Sequence, residues 1–192
     1  MITAIILAAG ESKRMGEPKM LMPWGKSTVL QTVISTFQAS GVKDILVITG
    51  GAHQQVEELI GKTVEVVYNE HYQTGEMLSS IQLGLSVKKR EASAALICLG
   101  DQPQVEERNV RNVCNAFLAG KSEIVVPSYE MQRGHPWLVA RPMWDEILAM
   151  KPPKTARDFL KKNARKIHYV IVDNPSILAD LDTPEDYAKH NS

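Results

Sequence analysis

Short apolar runs without a polar residue constrain this chain more than any other feature. Ile5-Ile6-Leu7, Ile45-Leu46-Val47-Ile48 and Ala94-Ala95-Leu96-Ile97-Cys98-Leu99 offer no side chain to turn toward water. Strands of this kind are covered on both faces, as in a parallel sheet between helices. Strands are expected at 4–7, 44–49, 64–68, 94–99, 123–126, 137–140 and 167–172. Helical patterns fall between them, at 28–39, 54–60, 76–89, 106–118, 143–150, 155–163 and 184–190. Gly41 and Gly120 stand where helices should stop, and Pro184 where one should start. The alternation predicts an α/β fold, doubly wound around a mostly parallel central sheet. Lys151-Pro152-Pro153-Lys154 reads as a surface turn, no repeat or linker appears, and the 192 residues fit one domain spanning 1–192.

The first strand runs into Leu7-Ala8-Ala9-Gly10-Glu11-Ser12-Lys13-Arg14-Met15-Gly16-Glu17-Pro18-Lys19. A loop at the carboxyl end of a first α/β strand is where such proteins hold phosphates. Glycine lets backbone N–H groups approach an anion, and Lys13, Arg14 and Lys19 bring the opposite charge. Two familiar phosphate loops are excluded. Gly10 and Gly16 do not make Gly-x-Gly-x-x-Gly, and Gly16 is followed by Glu17-Pro18 rather than Lys-Ser/Thr.

Four further motifs follow strands or precede them. Gly100-Asp101-Gln102-Pro103 puts a carboxylate at a strand end, suited to a divalent cation or to capping the next helix. Asp180-Leu181-Asp182-Thr183-Pro184 precedes the last helix. There Asp182 or Thr183 caps the helix, and Asp182 also suits a second metal-ligand role. Gly75 opens a helix that carries Ser79 and Ser80, which suit nucleotide contacts or ordinary capping. Gly134-His135-Pro136 precedes another strand, with His135 either facing a second substrate or packed in a turn.

Lys plus Arg and Asp plus Glu each number 22, so no global basic field recruits nucleic acid or an anionic membrane. Cys98 and Cys114 belong to no metal-ligand spacing and read as buried small hydrophobes in a reducing compartment. The five histidines make no zinc pattern. No signal peptide or membrane-length apolar run is visible, which predicts a soluble cytoplasmic protein.

Taken in order, Leu7 to Lys19, Asn69 with Gly75-Glu76-Met77 and Ser79-Ser80, Gly100 to Pro103, Gly134-His135-Pro136 and Asp180 to Tyr187 resemble the molybdenum cofactor nucleotidyltransferases. Leu-Ala-Ala-Gly is similar to the cytidylyl branch rather than the guanylyl branch. The resemblance implies a Rossmann-like nucleotide-diphospho-sugar transferase fold. It also implies transfer of CMP from CTP to molybdopterin, with release of pyrophosphate. Leu7, Ala8, Ala9, Gly10, Arg14, Lys19, Asn69, Gly75 and Ser80 would bind the nucleotide, with Arg14, Lys19 and Asp101 catalytic. Asp101 and Asp182 would hold Mg2+, and Gly134 and His135 would meet the acceptor. A molybdenum hydroxylase or its maturation factor would be the partner. The segment before Ala156-Arg157 departs from the family's Gly/Asp-rich turn, so acceptor contacts are not carried over there. A same-fold transferase with another nucleotide or phosphorylated acceptor, and a non-catalytic cofactor carrier, are the alternatives. A nicotinamide oxidoreductase is disfavoured by the missing glycine fingerprint.

Overall fold

A computed structural model describes residues 1–12, 14–90, 92–120 and 122–190. Lys13, the first cation of the phosphate loop, therefore lies outside the described residues. The strands are β1 (Ile2–Ala8), β2 (Pro23–Trp24), β3 (Ser27–Thr28), β4 (Asp44–Thr49), β5 (Glu65–Tyr68), β6 (Ala94–Leu99), β7 (Ile124–Tyr129), β8 (Gln132–Arg133), β9 (Trp137–Ala140) and β10 (Ile167–Ile171). The helices are α1 (Val29–Ala39), α2 (His53–Ile60), α3 (Glu76–Lys88), α4 (Glu107–Leu118), α5 (Trp144–Leu148), α6 (Ala156–Lys162) and α7 (Pro184–His190). Gly41 and Gly120 take left-handed φ of 91° and 68° just after α1 and α4, as expected of helix stops. The helix expected at 143–150 is shorter, because a 3-10 turn at Arg141–Met143 takes its start.

The main sheet runs β10-β7-β9-β6-β1-β4-β5, with β8 paired to β7. β1 lies between β6 and β4, parallel to both. β4 pairs parallel with β5, and β7 with β10. β9 is antiparallel to both β6 and β7. Consequently β7 and β10 point the same way as the central strands, and only β9 and the short β8 run against them. This matches the mostly parallel sheet expected, with two reversed strands that the sequence pattern did not reveal.

Alternation along β1 sends Ala4, Ile6 and Ala8 to one face and Ile5 and Leu7 to the other. The first set packs with Leu30, Val33 and Phe37 of α1, Val56 of α2 and Val110 and Val113 of α4. The second packs with Leu78, Ile81 and Leu85 of α3, Trp144 of α5 and Phe159 of α6. Two apolar layers thus sandwich the sheet, which explains the unbroken apolar runs. Cys98 and Cys114 are both buried, and burial pushes their thiols up, that of Cys114 to about 11. Among the described residues no helix is long and apolar enough to cross a membrane.

The shared direction of six strands collects their carboxyl ends at one edge of the molecule. The loop after β1, Gly50-Gly51 after β4, Asn69 after β5 and Asp101 after β6 all lie there. β9 runs in reverse, so its start brings Gly134 and His135 to the same edge.

Candidate active site

Lys19 is aimed by its neighbours. The loop after β1 folds back so that the Met15 amide donates to the Ser12 carbonyl at 2.9 Å and the Lys19 amide donates to Ser12 Oγ at 3.1 Å. Ser12 takes a left-handed φ of 51° to do this, an uncommon conformation for serine that stores backbone strain at the loop. A 3-10 turn at Lys19–Leu21 then buries Met20 against the core and leaves Lys19 pointing into the strand ends.

There Lys19 Nζ donates to Asp101 Oδ2 and, at 3.2 Å, to Asp182 Oδ1. Burial alone would pull the Lys19 ammonium down, but Asp101 and Asp182 outweigh it, so its pKa stands above the ordinary lysine value. Arg14 is exposed and reaches Asp182 Oδ2 at 3.1 Å. Asp101 does not cap α4, whose N-cap is Glu106. Its backbone instead accepts from the Leu181 amide at 3.3 Å, which ties the turn after β6 to the segment before α7.

Asp182 is likewise spared the capping role. Thr183 Oγ1 accepts from the Asp186 amide at 3.2 Å, and Asp186 Oδ2 accepts from the Thr183 amide at 3.0 Å. Asp180 and Asp182 flank Leu181, which is fully buried, so both carboxylates stand at the mouth. Gln102 Nε2 donates to Asp180 Oδ1 at 2.6 Å. Burial, and then the Asp101 charge, push the Asp180 pKa up. Asp180 was quoted in the sequence motif without a role; its alternation with Asp182 around a buried leucine was the available signal.

Leu7, Ala9, Gly10, Lys19, Ser80, Asp101 and Asp182 line one cavity of about 360 Å³, together with Tyr72, Glu76, Met77 and Asp180. A Cβ added at Gly10 would meet nothing within 4 Å, so packing within the chain does not require that glycine. Tyr72 forms a side wall over Gly50, where a Cβ would fall 2.8 Å from the tyrosine ring. Glu76, at the start of α3, carries a left-handed φ of 50°. Tyr72 is not singled out by the sequence, and Glu76 stands in the Gly75-Glu76-Met77 block without a role of its own.

Other expected site residues lie behind the cavity wall. Ala8 is buried in the sheet. Asn69 is buried, donating to Ser79 Oγ at 2.9 Å and Ser80 Oγ at 3.0 Å while accepting from the His71 amide at 2.9 Å. It holds the start of α3 to the end of β5. A Cβ at Gly75 would lie 2.3 Å from Ser79 Cβ, and one at Gly134 would lie 2.4 Å from the Ile177 carbonyl oxygen, so both glycines are required by packing. His135 and Gly134 line a second cavity of about 930 Å³ that shares Met77, Leu99 and Asp180 with the first. The His135 pKa is pushed down to about 4 by burial and by the Arg157 charge.

The donor set suits a hard divalent cation. Asp101 and Asp182 already converge on one cationic centre, the Lys19 ammonium. Among the described residues no three acidic, His or Cys side chains cage a metal by themselves.

Comparison with known proteins agrees with the fold. The model of the MobA-like NTP transferase domain matches residues 4–167. The molybdenum cofactor cytidylyltransferase of Escherichia coli K12 is 27% identical over 97% of this chain and 93% of its own. Nicotine blue oxidoreductase of Paenarthrobacter nicotinovorans is 23% identical over 96% and 93%. The crystal structure of Rv0371c from Mycobacterium tuberculosis superposes with a TM-score of 0.85 at 29% identity, covering 100% of this chain and 99% of that one. The same protein has been solved in complex with manganese, with a TM-score of 0.83 at 27% identity over 99% and 97% of the chains. With an α/β sheet of the nucleotidyltransferase type and a family model spanning most of its length, this chain belongs to the MobA-like NTP transferase family.

Proposed function

We propose that the chain transfers CMP from CTP to the phosphate of molybdopterin, with release of pyrophosphate and with Mg2+ as the metal. The observation that carries this reading is the meeting of Lys19, Asp101 and Asp182 in the cavity that Gly10 also lines. The cytidylyltransferase among the relatives and the Leu-Ala-Ala-Gly sequence support the choice of nucleotide and acceptor.

The attacking phosphate is already anionic near neutral pH, so no strong general base is needed. That agrees with a cavity that lacks a His–carboxylate pair. The demand is in-line positioning and neutralisation of charge on the nonbridging oxygens. Gly10 leaves backbone room for the triphosphate, Arg14 stands at its open side, and Lys19 neutralises the phosphate that is attacked. Asp101 and Asp182 would hold the cation, which supplies charge neutralisation across the phosphates when bound. When the nucleotide enters, Lys19 exchanges a carboxylate partner for a phosphate oxygen.

The test is pyrophosphate release by the purified protein with Mg2+ and molybdopterin, comparing CTP, GTP, ATP and UTP. Release with CTP alone is expected; release with GTP alone would move the nucleotide, and no release from folded protein would overturn the transfer. One observation favours a second reading, in which the chain is an oxidoreductase: the relative named nicotine blue oxidoreductase. Binding of NAD(P)H, read by its fluorescence, would support it; absence of binding is expected.

A further inference from the structure

The two edges of the main sheet are not alike. At one, β5 opens on the half-exposed Glu65, a charge of the kind that keeps foreign strands off. At the other, β10 reads Ile167-His168-Tyr169-Val170-Ile171, with no proline, lysine or acid. Its register with β7 is unbroken from Ile167 to Ile171, so no bulge turns it aside, and Ile171 is 75% exposed. Just past the strand, the Val172 amide donates to the Ser128 carbonyl at 3.0 Å. Bonding alternates along a strand, so His168 and Val170 also turn their backbone groups to β7, while Ile167, Tyr169 and Ile171 turn theirs outward. Among the described residues, no other segment of the chain bonds those outward groups. The Tyr169 ring does not shield them either. Its Oη accepts from Arg133 Nε at 2.9 Å, and Arg133 sits on β8, across β7 from β10, so the ring leans back over the sheet.

We propose that two copies of this chain pair through β10, antiparallel about a two-fold axis at Tyr169. In that register Ile167 of one copy faces Ile171 of the other, Tyr169 faces Tyr169, and each is a mutually hydrogen-bonded pair. Every outward backbone group of β10 then has a partner, and shifting the axis to residue 168 or 170 leaves some unpaired. The same register matches charge. Arg165 and Asp173 lie four residues to either side of Tyr169, so Arg165 of one copy falls opposite Asp173 of the other, at both ends. Both residues are exposed. Asp173 already meets Arg108 at 2.7 Å, but Arg108 is shared with Glu106, so that cluster keeps a net negative charge for Arg165 to meet. The two-fold closes the assembly at two copies, because each β10 edge is used once. Tyr169 and Ile171 also line the second cavity, so the strand of the other copy stands beside its outer wall.

The experiment is sedimentation equilibrium of the full-length protein from micromolar to near-millimolar concentration. The wild type is expected to pass from monomer to dimer and no further. Ile171→Lys should raise the dimer Kd about tenfold or more, since it puts a charge into two cross-strand pairs at once. Arg165→Asp and Asp173→Arg should each weaken the dimer by about tenfold, and the double exchange should return it to within about twofold of the wild type. Urea midpoints should be unchanged in monomer-range solutions, because all three side chains are exposed. A wild type that stays monomeric throughout overturns the proposal and leaves the edge to a strand of another protein or to none. A dimer indifferent to Ile171→Lys overturns it as well, and a double exchange that restores nothing overturns the register.

Discussion

At the scale of single residues, the site is organised by one lysine held between two carboxylates. Lys19 Nζ bonds Asp101 and lies 3.2 Å from Asp182 Oδ1, the two groups best suited to ligate a cation. A free divalent cation must therefore compete with a built-in ammonium until a phosphate draws Lys19 away. Lys19→Met should bind Mn2+ alone more tightly than the wild type does, as read by electron paramagnetic resonance, while losing about 100-fold or more in turnover. Equal Mn2+ affinity in the two proteins would contradict the competition. Asp101→Asn should fold normally and lose about 100-fold or more in turnover at saturating Mg2+; near-normal turnover would remove Asp101 from the metal site. The sequence made Lys19, Asp101 and Asp182 legible because each sits at a strand end or before a helix with chemistry to spare. It could not separate Asp182 from Thr183 as the cap, since that depends on which side chain reaches the Asp186 amide. The resemblance implied a nucleotide contact for Asn69, and its side-chain amide is bonded to Ser79 and Ser80 at the start of α3.

Among elements, the strands and helices were readable wherever burial on both faces left an unbroken apolar run. The direction of β9 was not, because four buried residues, Trp137–Ala140, read alike forward and backward. The β2–β3 hairpin is two residues on each side and too short to leave a period. Its role is visible only in the fold: Tyr187 of α7 donates to the Pro23 carbonyl, and Trp24 meets the Tyr187 ring edge-on at 6.2 Å. These contacts seat α7 and so the segment that presents Asp182. At the opposite end of the sheet, Lys88 of α3 bonds Asp44 at 2.8 Å and Glu65 at 2.7 Å, locking the helix to β4 and β5. Burial pulls the Lys88 ammonium down, yet Asp44 and Glu65 together hold its pKa above the ordinary value. Lys88→Met would strand the mostly buried Asp44 carboxylate. Breaking a fully buried pair costs about 3–5 kcal/mol, and the half-exposed Glu65 brings the expected loss to about 2 kcal/mol. Urea unfolding should show that loss, while kcat of the folded enzyme stays within about twofold.

Across the whole molecule, strand direction decides what the motifs can do together. Five sequence blocks more than 170 residues apart from first to last converge because six strands end at one edge and a reversed seventh begins there. The same edge couples the second cavity to stability through His135. Its amide donates to the Ile177 carbonyl at 3.0 Å, and its ring lies where burial and the Arg157 charge push the pKa down to about 4. An unfolded chain would protonate this imidazole near its usual value, about 6.5. Between those two values the unfolded state binds more protons, so stability falls as pH drops from about 6.5 toward 4 and is fully present above that window. Carboxylates released from their partners add acid sensitivity of their own, which is why the comparison must be made against His135→Gln. That variant removes the titrating ring and should flatten the loss of urea midpoint between about pH 6.5 and 5, where most carboxylates are still ionised. If both proteins lose stability in parallel over that interval, the ring does not carry the effect. A flatter curve in the variant would place a neutral imidazole next to Arg157, leaving the cavity's positive charge to Arg133, Arg157 and Lys161.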